Sequence, residues 1–212
     1  MIEQLERNLG RRFARLATNA AVRWPRLWRP LRRLMRLQFD RLAPRWDTMR
    51  SPDHLRSFEL ALNGVTRPPA RVLDLGTGTG AAAFAVARRF QEAQVTGADL
   101  SNEMLSEARR KTPPELAERV RFEQGDAARL PFGDASFELV TLANMIPFFD
   151  ELTRVLAPGG WALFSFSGGP ETPIWVAPER LRTELSGRGF ADFADFQAGA
   201  GTALLARKHE RV

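Results

Sequence analysis

The spacing of hydrophobic positions changes repeatedly along the chain, and these changes predict alternating strands and helices. Apolar runs typical of strands lie at residues 72–75, 94–98, 120–123, 137–142, 161–166, 193–196 and 202–206. Helical spacing occupies residues 81–90, 101–111, 148–156 and 179–186. Because helices separate most of the strands, the order predicts an α/β fold with a doubly wound, mostly parallel seven-stranded sheet.

A further helix is predicted just before the first strand. Ser51 is suited to cap it, Pro52 to occupy its first position and Asp53 to lie in its positively polarised first turn. Gly64 is placed where the helix would end. We expect the globular domain to begin with this helix and to span residues 51–212.

Residues 1–50 differ from the rest of the chain in their residue pattern. They contain two stripes of apolar residues at helical spacing. The first comprises Ile2, Leu5, Leu9, Phe13 and Leu16; the second comprises Leu27, Leu31, Leu34, Met35, Phe39 and Leu42. This segment holds 13 arginines against four carboxylates, a local charge of +9, whereas the remainder holds 18 basic and 21 acidic residues, a charge of −3. The pattern predicts a basic amphipathic helical arm.

Three interpretations of the arm differ in what its apolar stripes contact. In the first, the stripes pack on the domain and the arginines face solvent. In the second, the arm makes a peripheral contact with an anionic membrane, with Trp24 and Trp28 at the headgroup level. The third is an RNA-binding arm, which the charge distribution makes unlikely because the body of the protein is not basic.

The amino-acid composition limits the catalytic and metal-binding groups that the protein can use. The chain has no cysteine and only two histidines, His54 and His209, which disfavours a metal site and leaves few general bases near neutral pH. We therefore expect a cofactor to carry the chemistry and no bound metal. No apolar run approaches the roughly 20 residues of a membrane-spanning helix, so a soluble, cytoplasmic and at most membrane-peripheral protein is expected.

A glycine-rich loop follows the first predicted strand. Asp74 stands near the strand end, and Gly76, Gly78 and Gly80 open the next helix. Such a turn brings backbone amides close to a ligand and also fits a dinucleotide site, with Asp99 as the ribose-binding acid. Two observations weigh against the dinucleotide site. A carboxylate at Asp74 would repel a pyrophosphate but suit the ammonium group of an amino-acid-like ligand. Residues 125–127 follow the third strand and offer a side-chain acceptor for an exocyclic amine and a backbone amide that can donate to a ring nitrogen.

Five motifs in this order resemble the class I S-adenosylmethionine-dependent methyltransferases, which have a Rossmann-like fold. The resemblance is closest to the ubiquinone/menaquinone biosynthesis C-methyltransferase group (methyltransferase type 11 domain) and covers roughly residues 38–167. The motifs lie at residues 39–47, 72–80, 97–105, 125–132 and 154–160. The resemblance implies a methyltransferase domain over residues 51–212 and S-adenosyl-L-methionine as the cofactor.

The resemblance also implies roles for single residues. Asp74 and the loop through Gly76, Thr77, Gly78 and Gly80 would hold the methionine part, and Asp99 would bind the ribose hydroxyls beside Leu100. Met104 would lie near the adenine, with Gly125, Asp126 and Ala127 binding its edge. The remaining positions would surround the sulfonium and close over the cofactor; they are Ala143, Asn144, Phe39 and Trp46.

The substrate is less well defined by the sequence. Residues 144–150 are shorter than the corresponding loop of the quinone-pathway group, and the region after Ser167 differs. His54, Asp150 and Glu171 are conceivable bases, but the catalytic residue stays unknown. We expect methyl transfer to a small lipophilic acceptor. The alternative is a non-catalytic protein of this fold whose arm binds a membrane or RNA.

Overall fold

A computed structural model describes residues 28–210. Its centre is a seven-stranded sheet in the order β3-β2-β1-β4-β5-β7-β6. The strands are β1 (Arg71–Leu75), β2 (Gln94–Asp99), β3 (Val120–Gln124), β4 (Phe137–Ala143), β5 (Leu156–Phe166), β6 (Phe190–Ala198) and β7 (Gly201–Lys208). The helices are α1 (Trp28–Leu42), α2 (Arg56–Leu62), α3 (Ala81–Arg89), α4 (Asn102–Lys111), α5 (Phe149–Val155) and α6 (Pro178–Ser186).

The predicted sheet is confirmed in class and strand number. The pairs β1–β2, β1–β4, β2–β3 and β4–β5 are parallel, whereas β7 runs antiparallel to both β5 and β6. Strands β1 to β5 therefore all end at one edge of the sheet. The strand order reverses between β1 and β4, which is the position where open α/β sheets bind ligands.

Both faces of the sheet are covered. On one face, α2, α3 and α4 pack against the sheet through a cluster that includes Phe58, Val86 and Leu105. On the other face, α1, α5 and α6 contribute to a second cluster that contains Trp28, Leu152 and Leu181. Alanines at 82, 83 and 87 allow α3 to lie close to the strands.

The described part of the arm packs on the body. In α1, Trp28 and Met35 are each 5% exposed and belong to the second apolar cluster. The predicted stripe is wrong at Leu34, which is 53% exposed, because the buried side of the helix runs through Trp28, Leu31 and Met35 instead. The first predicted stripe, at residues 2–16, and Trp24 lie outside the described residues.

Two predicted boundaries are also wrong. The helix expected from Ser51 begins at Arg56, because residues 51–55 form turns in which Ser51 accepts from the amide of Asp53 without capping a helix. The strand predicted at 161–166 begins earlier, since β5 starts at Leu156 and includes Gly159 at φ +74° and an irregular register against β4. Across residues 28–210, no helix has the length and apolar character needed to cross a bilayer.

Candidate cofactor and active site

The loop after β1 lies at the carboxyl edge of the sheet and has the backbone that its glycines predict. Gly76, Gly78 and Gly80 have φ values of +66°, +54° and +90°, a region that favours glycine. The amides of Gly76 and Thr77 donate to the carbonyl of Ala98 on β2, at 2.8 and 3.1 Å. These bonds fix the loop between the ends of β1 and β2, beside the start of α3.

Asp74 is a buried acid beneath this loop. Its side chain is on β1, is 1% exposed, and accepts a 2.8 Å hydrogen bond from Thr141 Oγ1 through Oδ1. Its Oδ2 atom is buried without a hydrogen-bond partner among the described residues. Burial raises the pKa of Asp74 to about 6, because water no longer stabilises the charged form, while the hydroxyls of Thr77 and Thr141 act in the opposite direction.

Asp99 stands at the end of β2 and joins the two loops of the site. Its Oδ2 accepts from the amide of Gly78 at 2.8 Å, and its Oδ1 accepts from the amide of Ser101 at 2.9 Å. Burial raises the pKa of Asp99, while hydrogen bonds from the amides of Ser101, Gly78 and Leu100 act in the opposite direction. A carboxylate has about four acceptor sites, so Asp99 can still accept from a hydroxyl group.

The segment after α1 covers the glycine loop. The Nε1 of Trp46 lies 3.4 Å from the position that a Cβ would take on Gly78, and the Trp46 ring meets Phe39 edge to face at 5.5 Å. Asp47 fastens the segment, since its Oδ1 accepts from Thr79 Oγ1 at 2.6 Å. The predicted cover formed by Phe39 and Trp46 is thus located beside the loop.

Arg50 is a site residue that the sequence reasoning missed. Its guanidinium lies 4.9 Å from the Trp46 ring centre and 4.0 Å from the Cβ position of Gly78. Burial lowers the pKa of Arg50, while the nearby carboxylates of Asp47, Asp74 and Asp99 raise it. Thirteen arginines lie among the first 50 residues, so nothing in the sequence alone distinguished this one.

His54 supports Arg50 from the outer side. The Nδ1 of His54 lies 2.8 Å from the carbonyl of Ser51, which can only accept, so Nδ1 carries the proton. Its Nε2 then accepts from Arg50 NH1 at 3.4 Å. Burial lowers the pKa of His54, and the charge of Arg50 lowers it further, which favours this neutral form.

The loop after β3 forms a wall of the candidate cofactor site. The amide of Gly125 donates to the carbonyl of Asp99 at 3.0 Å, which places Asp126 and Ala127 beside the end of β2. Asp126 Oδ1 accepts from Trp28 Nε1 at 2.8 Å, and Arg32 NH1 lies 3.3 Å from Oδ2. The carboxylate predicted to bind adenine is therefore also the anchor of α1.

Leu100, Ala127 and Met104 form the apolar part of this wall. Ala127 is buried in the second cluster and Leu100 packs against it. Met104 is 1% exposed at the start of α4. Ser101 caps α4 by accepting from the amide of Met104 at 3.1 Å, and Ser101 Oγ donates to Asp40 at 2.6 Å, so α1 is attached to this wall as well.

The end of β4 completes the arrangement. Asn144 follows Ala143 with φ +53°, an uncommon value outside glycine, and its Oδ1 accepts from the amide of Ser167 at 2.9 Å. The next side chain, Met145, reaches back so that its sulfur would lie 2.5 Å from a Cβ on Gly76. The predicted sulfonium-facing residues therefore lie at the same edge as the glycine loop.

The other two conceivable bases lie elsewhere. Asp150 is on α5, its side chain is 83% exposed, and it pairs with Arg188 at 2.8 Å. Glu171 is exposed in the segment between β5 and α6. Within residues 28–210, no group of three or more His, Cys, Asp or Glu side chains could hold a metal ion.

Three buried polar atoms at the glycine loop make no well-formed hydrogen bond within residues 28–210: Asp74 Oδ2, Thr77 Oγ1 and Trp46 Nε1. The Thr77 hydroxyl is nevertheless close enough to the Asp74 carboxyl to lower its pKa. An unpaired buried polar atom costs free energy unless a ligand supplies the missing hydrogen bond. A carboxylate oxygen suits an ammonium group, so these residues fit the amino-acid part of S-adenosyl-L-methionine.

The strand order, the reversed β7 and the acid followed by a glycine loop define the class I methyltransferase fold. Sequence comparison agrees: residues 72–160 match the family described as "Methyltransferase domain". These matches confirm the resemblance to the S-adenosylmethionine-dependent methyltransferases and the expected cofactor.

Its relatives include the quinone-pathway group. The chain is 40% identical over 137 residues to a demethylmenaquinone methyltransferase of Thermus thermophilus, covering 58% of this chain and 60% of the relative. It is 37% identical over 150 residues to a malonyl-[acyl-carrier protein] O-methyltransferase of Halorhodospira halophila, covering 66% of this chain and 50% of the relative. The chain thus spans less than two thirds of these relatives' lengths.

Solved structures share the fold. A putative S-adenosyl-L-methionine-dependent methyltransferase of Methanococcus maripaludis superposes with a TM-score of 0.63 at 19% identity, covering 82% of this chain and 94% of that one.

Proposed function

We propose that this protein transfers the methyl group of S-adenosyl-L-methionine to a small lipophilic acceptor. The observation that carries the proposal is a buried carboxyl, Asp74, beneath the glycine loop, with polar atoms of Trp46, Asp74 and Thr77 that make no well-formed hydrogen bond within the described residues. The similarity to a demethylmenaquinone methyltransferase favours an acceptor of quinol type.

In this proposal, each group of residues around the site binds one part of the cofactor. Ionised Asp74 binds the ammonium group through Oδ2, and the guanidinium of Arg50 binds the carboxylate of the same amino acid. Asp99 accepts from the ribose, and Asp126 and the amide of Ala127 bind the adenine edge. Gly80, at the start of α3, lets the helix amides approach the ligand closely.

The chemistry needs little from the protein beyond alignment. S-adenosyl-L-methionine supplies a methyl group on a positively charged sulfur. When the cofactor is bound, an electron pair of the acceptor would form the new bond to this carbon, the carbon–sulfur bond would break with its pair left on sulfur, and the methylated acceptor would release a proton to solvent. Holding the two reactants in line and excluding water provides the acceleration, and Trp46 with Phe39 shields the glycine loop.

The arm belongs to this proposal as a membrane contact. On the outer side of α1, Leu34 and Leu37 are 53% and 41% exposed, and exposed Arg33, Arg36 and Arg41 lie on the same helix. Exposed apolar side chains among cations suit the surface of an anionic bilayer, which would supply a lipophilic acceptor. We propose this peripheral contact for an otherwise cytoplasmic protein.

A transfer assay tests the proposed activity. The full chain is incubated with S-adenosyl-L-methionine and a prenylated naphthoquinol in mixed micelles, and the product is analysed by mass spectrometry. We expect a singly methylated product and an equal amount of S-adenosylhomocysteine. Cofactor binding without transfer to this or to acyl-carrier acceptors would favour the non-catalytic alternative.

Vesicle sedimentation tests the membrane contact. We expect binding to phosphatidylglycerol vesicles that weakens with salt, weak binding to phosphatidylcholine alone, and a loss in Leu34→Glu/Leu37→Glu. Leu60→Glu is the matched control, since Leu60 is 42% exposed on α2 rather than α1. Unchanged binding of the double variant would contradict a contact through α1.

A further inference from the structure

The Arg50 guanidinium is held by two neighbouring side chains. Its NH1 atom lies 3.4 Å from Nε2 of His54, and its central carbon lies 4.9 Å from the centre of the Trp46 ring. Its other terminal nitrogen, NH2, lies 4.0 Å from the Cβ position of Gly78. The two terminal nitrogens therefore have different surroundings: NH1 contacts His54, and NH2 lies beside the cofactor loop.

The imidazole of His54 is itself fixed by the turn that carries it. Its Nδ1 lies 2.8 Å from the carbonyl of Ser51, and its backbone amide donates to the same carbonyl at 3.1 Å. Because a carbonyl can only accept, Nδ1 carries the proton and Nε2 presents its lone pair to Arg50. The lone pair that a general base would need is thus already used by NH1.

The carboxylates near Arg50 do not replace this contact. Asp47 accepts from Thr79 and Lys111, at 2.6 and 2.7 Å. Asp74 and Asp99 act on the pKa of Arg50 through their charge alone. Among the described residues, His54 is therefore the side chain that holds the terminal nitrogens of Arg50 by a hydrogen bond.

A fixed guanidinium binds a carboxylate more tightly than a freely rotating one. An arginine side chain carries about 2 kcal/mol of rotamer entropy, part of which is lost when it pairs with a ligand. A contact that orders the side chain beforehand lowers this cost. The bond from NH1 to His54 orders Arg50 while leaving the N–H groups of NH2 beside the loop.

We propose that His54 is a positioning residue for cofactor binding: its Nε2 holds Arg50 NH1 so that NH2 is directed at the amino-acid part of S-adenosyl-L-methionine. The inference rests on the proposed function, in which Arg50 binds the cofactor carboxylate. His54 acts only through Arg50 and is not a catalytic base. Its effect is confined to ligands that carry the carboxylate.

Calorimetric titration of the full chain at pH 8, where Asp74 is ionised, tests the proposal with two ligands. We expect His54→Leu to weaken S-adenosyl-L-methionine binding by about threefold to tenfold, because an acceptor for a charged donor is lost. The affinity for 5′-methylthioadenosine, which lacks the amino-acid part, should not change. His54→Gln, whose Oε1 can accept from NH1, should bind S-adenosyl-L-methionine within about twofold of wild type.

His209→Leu is the matched control, because it makes the same change at the other histidine of the chain. His209 is exposed after β7, whose end pairs with the start of β5 at the edge opposite the glycine loop. This variant should bind both ligands like the wild type. In an Arg50→Gln background, His54→Leu should cause no further loss, since its effect passes through Arg50.

The His209→Leu variant also leaves His54 as the one imidazole in the chain. Its ¹⁵N NMR spectrum at pH 8 should show a proton on Nδ1 and none on Nε2. A proton on Nε2 would contradict the hydrogen bond from Arg50 and overturn the proposal.

Three binding results would also overturn the positioning role while leaving the proposed function intact. They are wild-type affinity of His54→Leu for S-adenosyl-L-methionine, equal weakening of both ligands, and a further loss in the Arg50→Gln background. A wild type that binds neither ligand would overturn the proposed function together with this inference.

Discussion

Trp28 Nε1 donates a 2.8 Å hydrogen bond to Asp126 Oδ1 and thereby joins the start of α1 to the loop after β3. Trp28 also meets Phe148 edge to face at 5.0 Å. One tryptophan of the arm thus contacts the loop expected to bind adenine and the segment after β4. The docking of α1 and the geometry of the cofactor site are coupled through this residue.

A double-mutant cycle measures this coupling. We expect Trp28→Phe to lower the free energy of unfolding by about 1–3 kcal/mol, because it removes a donor from a partly buried carboxylate. In an Asp126→Ala background the same change should cost about 1 kcal/mol less, since the acceptor is already absent. Urea unfolding of the four proteins gives both values, and additive costs would show that the bond contributes nothing.

The pH dependence of cofactor binding should report the ionisation of Asp74. Its pKa is raised to about 6 by burial, so below that pH the carboxyl is mostly neutral and cannot pair with an ammonium group. We expect the affinity for S-adenosyl-L-methionine to fall about tenfold per pH unit below about 6 and to level off above about 7. Calorimetry between pH 5 and 8 checks this, and a flat profile would contradict an Asp74 that ionises near pH 6 and pairs with the ammonium group when ionised.

Without ligand, Asp74 should reduce stability at neutral pH. A folded-state pKa above the ordinary 3.8 means that the stability contribution of this group is present at acid pH and is lost as pH rises through about 6. We expect Asp74→Asn, which keeps the bond from Thr141, to be more stable than wild type by about 1–3 kcal/mol at pH 8. The difference should vanish near pH 4 in urea unfolding.

Asp192→Asn is the control for this comparison. Asp192 is exposed on β6 at φ +50°, a conformation that asparagine also accepts. It should unfold like the wild type at both pH values. If the wild type is as stable as Asp74→Asn at pH 8, the buried carboxylate does not lower the free energy of unfolding.

Arg50 should contribute to cofactor binding only by pairing with the carboxylate of the cofactor's amino-acid part. We expect Arg50→Gln to weaken S-adenosyl-L-methionine binding by about tenfold to a hundredfold, because a partly buried ion pair is lost. Binding of 5′-methylthioadenosine, which lacks the amino-acid group, should not change. Arg56→Gln is the matched control, as the Arg56 side chain is 65% exposed on α2. Equal weakening of both ligands would assign Arg50 a purely structural role.

The sheet was predictable because its signals are local. Apolar runs define β1, β2 and β4, and the helical spacing at residues 101–111 corresponds to α4, which Ser101 caps. The residues at the strand ends followed from that order, since parallel strands end at one edge. The same logic located Asp74 and Asp99 beside the glycine loop.

Features that depend on tertiary contacts were not predictable. Trp28 looked suited to a membrane surface, but its indole finds a carboxylate 98 positions away and is buried. Arg50 is distinguished from the other arginines of the arm only by the turn at Asp47–Met49, which directs it toward the loop. Ser51 is a good cap in isolation, yet the chain turns once more before α2 begins at Arg56.

Calorimetric titration of the full chain determines whether the glycine loop and Asp74 bind S-adenosyl-L-methionine. We expect binding by wild type and Asp192→Asn at pH 8, loss of at least about tenfold in affinity in Asp74→Asn, and no binding of NAD to any of the three. A folded wild type that binds NAD, or that binds no S-adenosyl-L-methionine, would rule out this assignment of the site.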